Sequence, residues 1–453
     1  MCGILFSYTN EKNKHKQFLN KLDRAFETIK TRGPDNLNSI IEDNFIIGHT
    51  HLVITGFREQ PIKGKNYLLT YNGEIYNDYK KIIDEGLSDA DLLKEYIDEF
   101  SENAFKKLDG EFAIILYYPD RKKLFISTDT FGTKPIYFQI NENSLVVGSY
   151  ISTVECFNES GKIIRAKPNT IYEIDLNFLE IINEINLHEF DFSNQIENSY
   201  DKWIELFEKS IEKRTYNNKQ KYFVSLSSGH DSGLIAAEML RQKRDFKTYT
   251  FTYLENLEIL EKRFNIMNCN LIENEVLFMS QFEKNITSEY MKKNLDSYII
   301  ENEDSNVGQF ENKNLFEING YIASSFIHSK ARNEGRLISL SGQGADEIIT
   351  DYYNENSRSV KSTIKNEWNK ISGPWPNFFG GWNRTFLGAT ERIGGLYGIE
   401  TRYPFLDIEL VQSYLHISPE YKKNQYKAPI SEMLNRLNFP YHNFKQGFAA
   451  YEN

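Results

Sequence analysis

Along the first 190 or so positions the apolar residues fall in short, β-rich runs. These are GILFSY (3–8), FIIGHTHLVIT (45–55), YLLTY (67–71), EFAIILYY (111–118), KLFIST (123–128) and SLVVG (144–148), bounded by Gly, Asn, Asp or Pro. Two segments have helical spacing instead, HKQFLNKLDRAFETIK (15–30) and DADLLKEYIDEF (89–100). Many short strands with two helices predict packed antiparallel sheets flanked by helices.

The stretch NEINLHEFDFSNQIENS (183–199) is polar and weakly periodic and is read as a linker, which divides the chain into domains 2–190 and 198–453. Beyond it the pattern changes. SYDKWIELFEKSIEKRTY (199–216) reads as a helix and KYFVSLSSGHDSGLIAAEML (221–240) as strand, Gly-containing turn and helix. FKTYTFTYL (246–254) is a strand, and RLISLSGQGADEII (336–349) repeats strand, turn and helix. Strands alternating with helices predict a parallel α/β sheet.

Composition narrows the class. The 453 residues are 40% hydrophobic and 26% charged, enough apolar mass for more than one core. The net charge is −11 and the Lys residues are interleaved with acids. Without a basic stripe to neutralise phosphates, nucleic-acid binding is not expected. No apolar run approaches the roughly 20 residues that span a bilayer, so no membrane role is expected. The three cysteines, Cys2, Cys156 and Cys269, are too sparse for a disulfide framework and suit a reducing, cytoplasmic setting.

The first candidate for chemistry is Cys2. Removal of Met1 would expose an α-amino group with a pKa near 7.7–8.0 on the residue that carries the thiol, so nucleophile and base would share one residue. Taken alone, a cysteine there is more often a buried structural thiol. Its company changes the reading: TRGPDN (31–36), NGEIYN (72–77), GLSDADLL (86–93), LDGEFAIILYY (108–118) and DTFGTKPIYF (129–138) follow in this order. Together they resemble class II glutamine amidotransferases, specifically the glutaminase half of asparagine synthetases, over about residues 2–150. The resemblance implies an N-terminal nucleophile hydrolase fold with Cys2 as nucleophile. It also implies an oxyanion hole from the Asn72 amide and the Gly73 N–H, and a glutamine site of His51, Asn72, Glu74 and Asp89, with Asp89 on the ammonium. Arg32, in the RGPD signature, is read either as catalytic or as the structural partner of Asp35 or another carboxylate. His51 stands where the family usually has an Arg that clamps glutamine's α-carboxylate, and a neutral imidazole lacks the bidentate fork. His49 and His51 lie two apart on a strand and so face the same way. A metal there needs a third ligand, which the sequence does not identify.

In the second half, SLSSGHDSG (225–233) follows an apolar strand and opens a helix, where small residues admit phosphate to the helix N-terminus. No GxxxxGK[ST] loop is present. SGQGADE (341–347) ends a second strand, and GIETRYPFLD (398–407) and YKAPISEML (426–434) follow. This half, about 200–448, resembles the synthetase half of asparagine synthetases and their β-lactam-forming relatives. The pyrophosphate loop is matched with Ser228 in place of a Gly. The resemblance assigns Leu226, Ser227, Ser228, Gly229 and Ser232 to ATP and pyrophosphate, and Ser341 and Gly342 to the AMP portion. It assigns Asp231 and Asp346 to Mg²⁺, Lys427 to the leaving pyrophosphate, and the GIETRYPFLD block to scaffold, with Arg402 bordering the cleft. The implied activity is an ATP- and Mg²⁺-dependent carbon–nitrogen ligase of asparagine biosynthesis: Cys2 frees ammonia from glutamine, ATP adenylates a carboxylate, aspartate foremost, and ammonia displaces AMP. The implied partners are small molecules, and a homodimer is left open. Two places depart from the pattern. Gln343 stands where asparagine-forming relatives have a Glu able to accept a proton, and NGYIASSFIHSKARNEGR (319–336) lacks their threonine-rich stretch. Two alternatives therefore stand beside this reading. One is a ligase, β-lactam-synthetase-like or amidating a carboxylate other than aspartate; the other is a catalytically impaired regulatory homologue. An intact Cys2 argues against both a ring-closing ligase and an inactive homologue.

Overall fold

The computed structural model describes residues 1–157, 160–217, 219–296, 298–300, 313–353 and 362–442. The end of the second resemblance, 443–448, lies outside the described residues. The chain separates into two compact units. The first comprises Met1–Glu189, Leu295–Ser297 and Gly394–Glu400, and the second comprises the remainder.

The first unit holds two six-stranded sheets. One runs Ile164–Arg165, Tyr137–Asn141, Ser144–Gly148, Gly3–Thr9, Phe45–His51, Asn36–Ile41. The other runs Glu180–Asn186, Thr170–Asp175, Lys123–Thr128, Gly110–Tyr118, Leu68–Ile75, Ile62–Lys63. The ladders within both are antiparallel. Alternation does the sorting. Ile4, Phe6 and Tyr8 point to one side of their strand and meet Ile115, Tyr117 and Ile126 of the facing sheet. Leu5 points the other way, onto Phe18, Leu22 and Phe26 of the helix Lys12–Ile29. The helix Asp89–Phe100 covers the outer face of the second sheet by packing Ala90, Leu93 and Ile97 on Tyr71, Ile114 and Leu116. Its start is fixed by a capping box between Ser88 and Asp91. The result is two stacked antiparallel sheets between helices, as the pattern predicts.

Three differences bear on the site. The run predicted over 45–55 ends as a strand at His51. The strand predicted over 67–71 continues to Ile75, so Asn72, Gly73 and Glu74 lie within it. The polar run read as a linker from 183 is still strand through Asn186, held by the ladder to Thr170–Asp175 although its own side chains are mostly exposed.

The second unit is built on a five-stranded sheet in the order Glu273–Leu277, Phe246–Phe251, Tyr222–Ser225, Ile338–Leu340, Glu400–Arg402. Tyr222–Ser225 pairs in parallel with both Phe246–Phe251 and Ile338–Leu340. The loops after Ser225 and Leu340 therefore leave adjacent strands at the same end, where open α/β sheets bind ligands. The first leads into the helix His230–Arg241. The helix expected after the second is only one π-helical turn, Asp346–Thr350. It stops because Asp351 and Tyr352 turn left-handed and the Asp351 carboxylate is claimed by Thr363 and Ile364.

Candidate functional site

Register places the start of the chain. Gly3 pairs with Thr50 in the antiparallel ladder, so Cys2 comes to lie beside His51. Gly3 N–H donates to Thr50 Oγ1 at 3.1 Å, and Cys2 N–H donates to Asn72 Oδ1 at 2.6 Å. The Cys2 carbonyl accepts from Arg32 Nε at 2.8 Å, and Arg32 Nη1 donates to the Tyr150 hydroxyl at 2.9 Å. Arg32 thus positions the backbone of Cys2. Asp35, one of the carboxylates considered as its partner, accepts from the Val53 N–H at 2.8 Å.

The orientation of Asn72 is informative. Its oxygen is occupied by Cys2, while its Nδ2 is buried without a hydrogen-bond partner among the described residues. A buried donor left unmade costs free energy unless a ligand completes it. Beside it, Gly73 has φ 144°, and a β-carbon there would stand 1.9 Å from the Glu111 carbonyl oxygen. Only glycine fits so close to the neighbouring strand.

Gly73 lines a cavity, partly open to solvent, with Cys2, His51, Arg58, Glu74, Asp89 and Glu400 also in its wall. Its polar wall is chiefly acidic. Asp89 accepts from the Tyr71 hydroxyl and from the Ile75 N–H, and Glu74 accepts from Thr55 Oγ1 at 2.7 Å. Burial first, and then the neighbouring Glu74, push the Asp89 carboxyl well above its usual range. The Met1 ammonium lies 3.3 Å from Glu400 Oε2. The Cys2 thiol is only 7% exposed, and burial pushes it up to about 11. It is therefore protonated at neutral pH and needs a base to act. His51 is held neutral, pushed down to about 4 by burial and then by the N-terminal ammonium, and it stacks on Phe57 with ring centroids 5.3 Å apart. Arg58, which pairs with Asp91, brings a guanidinium to the cavity wall.

In the second unit the two strand-end loops meet. A β-carbon on Gly342 would lie 2.7 Å from Asp231 Cβ, so glycine is what allows the loops to touch. Asp231 and Asp346 both point at the Lys427 ammonium, with Nζ 2.7 Å from each oxygen of Asp231 and 2.9 Å from Asp346 Oδ1. Burial works against the charge on Lys427, but the two carboxylates outweigh it and hold its pKa well above the usual value. Lys427 itself sits left-handed at the start of the helix Ala428–Arg436. Two converging carboxylates are hard oxygen donors of the kind that suits Mg²⁺.

The phosphate-type loop is tied from within. Ser227 N–H donates to Ser232 Oγ at 3.0 Å, and Gly229 N–H to Ser227 Oγ at 3.2 Å. Leu226 is buried, its N–H on the Tyr249 carbonyl. Ser228 departs from expectation. It is fully buried, and both its N–H and its hydroxyl donate to Glu255, so it braces the loop and has no donor left for a phosphate. Ser341 N–H donates to the Arg402 carbonyl, and Gln343 N–H to Ser341 Oγ at 3.3 Å. Gln343 Nε2 donates to Thr390 Oγ1 at 2.7 Å, while its Oε1 is buried without a partner. Arg402 is buried with Nη1 on the Arg214 carbonyl at 2.7 Å, a structural role.

Comparison with known proteins matches residues 1–173 to the glutamine amidotransferase domain family and residues 202–378 to the asparagine synthase family. The human glutamine-hydrolysing asparagine synthetase is 24% identical over 93% of this chain and 78% of its own length. The rat enzyme of the same name is 25% identical over the same shares. Asparagine synthetase 3 of Bacillus subtilis is 31% identical over a shorter stretch, 34% of this chain and 27% of its own length.

The chain thus carries, in order, a glutamine amidotransferase domain and an asparagine synthase domain.

The structure brings Cys2, His51, Asn72, Gly73, Glu74 and Asp89 together in the first unit. It brings Asp231, Gly342, Asp346 and Lys427 together in the second. Two residues escaped sequence reasoning. Arg58 sits in an irregular segment after the His51 strand, where no periodicity marks it. Arg263 is buried and holds the phosphate-type loop by donating to the carbonyls of Ser227, Gly229 and Pro440. Its only sequence signal is an Arg on the buried side of the helix Leu257–Cys269.

Proposed function

We propose that this chain is a glutamine-dependent amide ligase of the asparagine-synthetase type. The observation that carries the reading is Asn72. Its oxygen fixes the nitrogen of Cys2, while its unpartnered Nδ2 remains available beside the thiol. Once Met1 is removed, the nitrogen held by Asn72 is an amine and can take the proton that the buried thiol does not lose by itself. The thiolate attacks the carboxamide of glutamine. Asn72 Nδ2 and the Gly73 N–H stabilise the oxyanion, ammonia leaves with the proton from the α-ammonium, and water then cleaves the thioester. Glu74, Asp89 and Glu400 form the ammonium end of the glutamine site. Arg58 takes the α-carboxylate that His51, being neutral, leaves unpaired.

The second unit supplies the acceptor. A carboxylate attacks the α-phosphate of ATP, pyrophosphate leaves, and ammonia displaces AMP from the acyl-adenylate. Ser227, Gly229 and Ser232 surround the pyrophosphate, and Lys427 neutralises its developing charge. Asp231 and Asp346 would hold Mg²⁺, which when bound supplies further neutralisation of phosphate charge. Aspartate is the acceptor proposed first. Gln343 and the altered segment 319–336 favour, as a second reading, another carboxylate.

The test is incubation with ATP, Mg²⁺, glutamine labelled with ¹⁵N in its amide, and aspartate. Labelled asparagine, AMP and pyrophosphate are expected. With Cys2→Ala the label should vanish from the product, while ammonium salts still support synthesis. Equal loss with both nitrogen sources would sink the proposed division of labour.

A further inference from the structure

Cys2 has two neighbours that the glutamine reaction does not use as a pair. His49 and His51 lie on the same face of the strand Phe45–His51. Pairing of Gly3 with Thr50 and Ile4 with His49 sets the beginning of the chain alongside them. One donor atom from each of Cys2, His49 and His51 lies within 4.8 Å of the others, all three residues being buried. The ring centroids of the histidines are 5.2 Å apart and nearly perpendicular, at 89°. His49 Nδ1 is engaged by Thr70 Oγ1 at 2.9 Å, while its Nε2 is buried with no partner among the described residues, on a residue 1% exposed. His51 Nδ1 is buried without a partner as well. Two unsatisfied imidazole nitrogens beside a thiol are an unfavourable arrangement until something completes them.

We infer that Cys2, His49 and His51 form a binding site for a thiophilic divalent cation of the Zn²⁺ class, and that its occupation withdraws the nucleophile. The donor set is one sulfur and two imidazoles, both ligand types that borderline-soft Zn²⁺ accepts. The donors of a tetrahedral zinc site stand about 3.4 Å apart, so the three need only draw in modestly. Thr70 supplies the hydrogen bond to the far nitrogen that orients metal-bound histidines. Removal of Met1 adds a fourth donor, because the α-amine and Sγ of Cys2 close a five-membered chelate. Binding then forms a metal–thiolate bond and releases the thiol proton to solvent. It occupies the nucleophile and its base together. The cation site is independent of the proposed reaction; only its inhibitory consequence rests on that reading.

The experiment uses the full chain with Met1 removal confirmed by mass. Titration with Co²⁺ should give one equivalent of a tetrahedral complex with a thiolate-to-cobalt charge-transfer band, and Zn²⁺ should abolish both signals. Cys2→Ser should lose the band, whereas Cys156→Ser and Cys269→Ser should keep it. His49→Gln and His51→Gln should each weaken Zn²⁺ binding by at least about 100-fold, since loss of an outer partner alone costs about 10–100-fold. Thr70→Val, which keeps all three ligands, should fall within that smaller range and serves if a histidine variant does not fold. Absence of the band, or Zn²⁺ affinity unchanged by these substitutions, overturns the site. Saturating Zn²⁺ should also suppress glutamine-dependent product and leave ammonia-dependent synthesis intact. Tight binding with undiminished glutamine hydrolysis would leave the site standing and overturn both its inhibitory role and the assignment of Cys2 as nucleophile.

Discussion

At Gly73 the backbone takes φ 144° with the Glu111 carbonyl oxygen 1.9 Å from where a β-carbon would be. Gly73→Ala must therefore shift the strand that carries Asn72 and the amide beside it. Removing one oxyanion donor costs about 10²–10³ in kcat, and the variant is expected to lose glutaminase activity on that scale. Glutamate release measures it, and ammonia-dependent synthesis should persist. Arg58 makes a different prediction because it is assigned to substrate binding and not to the reacting carbon. Arg58→Met should raise KM for glutamine by about 10–100-fold, the loss of one charge-assisted contact, with kcat changed far less. A fall confined to kcat would refute that assignment. The His51 imidazole, pushed down to about 4 by burial, brings no charge of its own to that carboxylate.

At the level of elements, the GIETRYPFLD block joins a strand, a turn and a helix through one carboxylate. Asp407 accepts from the N–H groups of Glu409 and Leu410 at the start of the helix Ile408–His416, and pairs with Lys213 and Arg214 from the helix Asp201–Arg214. Burial would raise its pKa, but Lys213 and Arg214 outweigh burial and hold it at about 2. A carboxyl depressed in the native state stabilises it above the unfolded pKa near 3.9, and that contribution is lost as pH falls toward 2. The expected contribution at neutral pH is on the order of 2 kcal/mol. Asp407→Asn should accordingly lower the denaturation midpoint at pH 7, and the gap from wild type should narrow as pH falls from 4 toward 2. A gap independent of pH would show that the pairing does not control the ionisation.

For the whole molecule the open quantity is the acceptor. Gln343 is fixed by Thr390, and its oxygen has no partner among the described contacts. An amide in that position cannot take a proton from attacking ammonia. If aspartate is the acceptor, wild type should exchange labelled pyrophosphate into ATP when aspartate is present, and Gln343→Glu should raise asparagine formation without raising exchange. Exchange that is absent in both proteins, at saturating ATP and Mg²⁺, would assign the enzyme to a different carboxylate. Among the described residues no helix is long and apolar enough to cross a membrane.

Local order was legible because local order is what periodicity records. The continuous apolar runs GILFSY and EFAIILYY, bounded by turn residues, mark strands buried on both faces, and the spacing of Phe18, Leu22 and Phe26 marks a helix face. The motifs around Cys2, Asn72, Asp231 and Lys427 were equally visible, since short spacings set how a turn presents its amides. Edge strands such as Asn36–Ile41 and Glu180–Asn186 were not, because their order comes from a neighbour's hydrogen bonds and not from burying their own side chains. What only the tertiary structure decided is which distant residues share a space. The ladder between Gly3 and Thr50 sets a thiol from the first residues beside two histidines about fifty positions on, and supplies the third metal ligand that spacing alone leaves unidentified. The same physics turns Ser228 inward onto Glu255 and brings Arg263 to the carbonyls of Ser227 and Gly229. Such pairings depend on strand register and on the meeting of buried groups, and neither leaves a period in the chain.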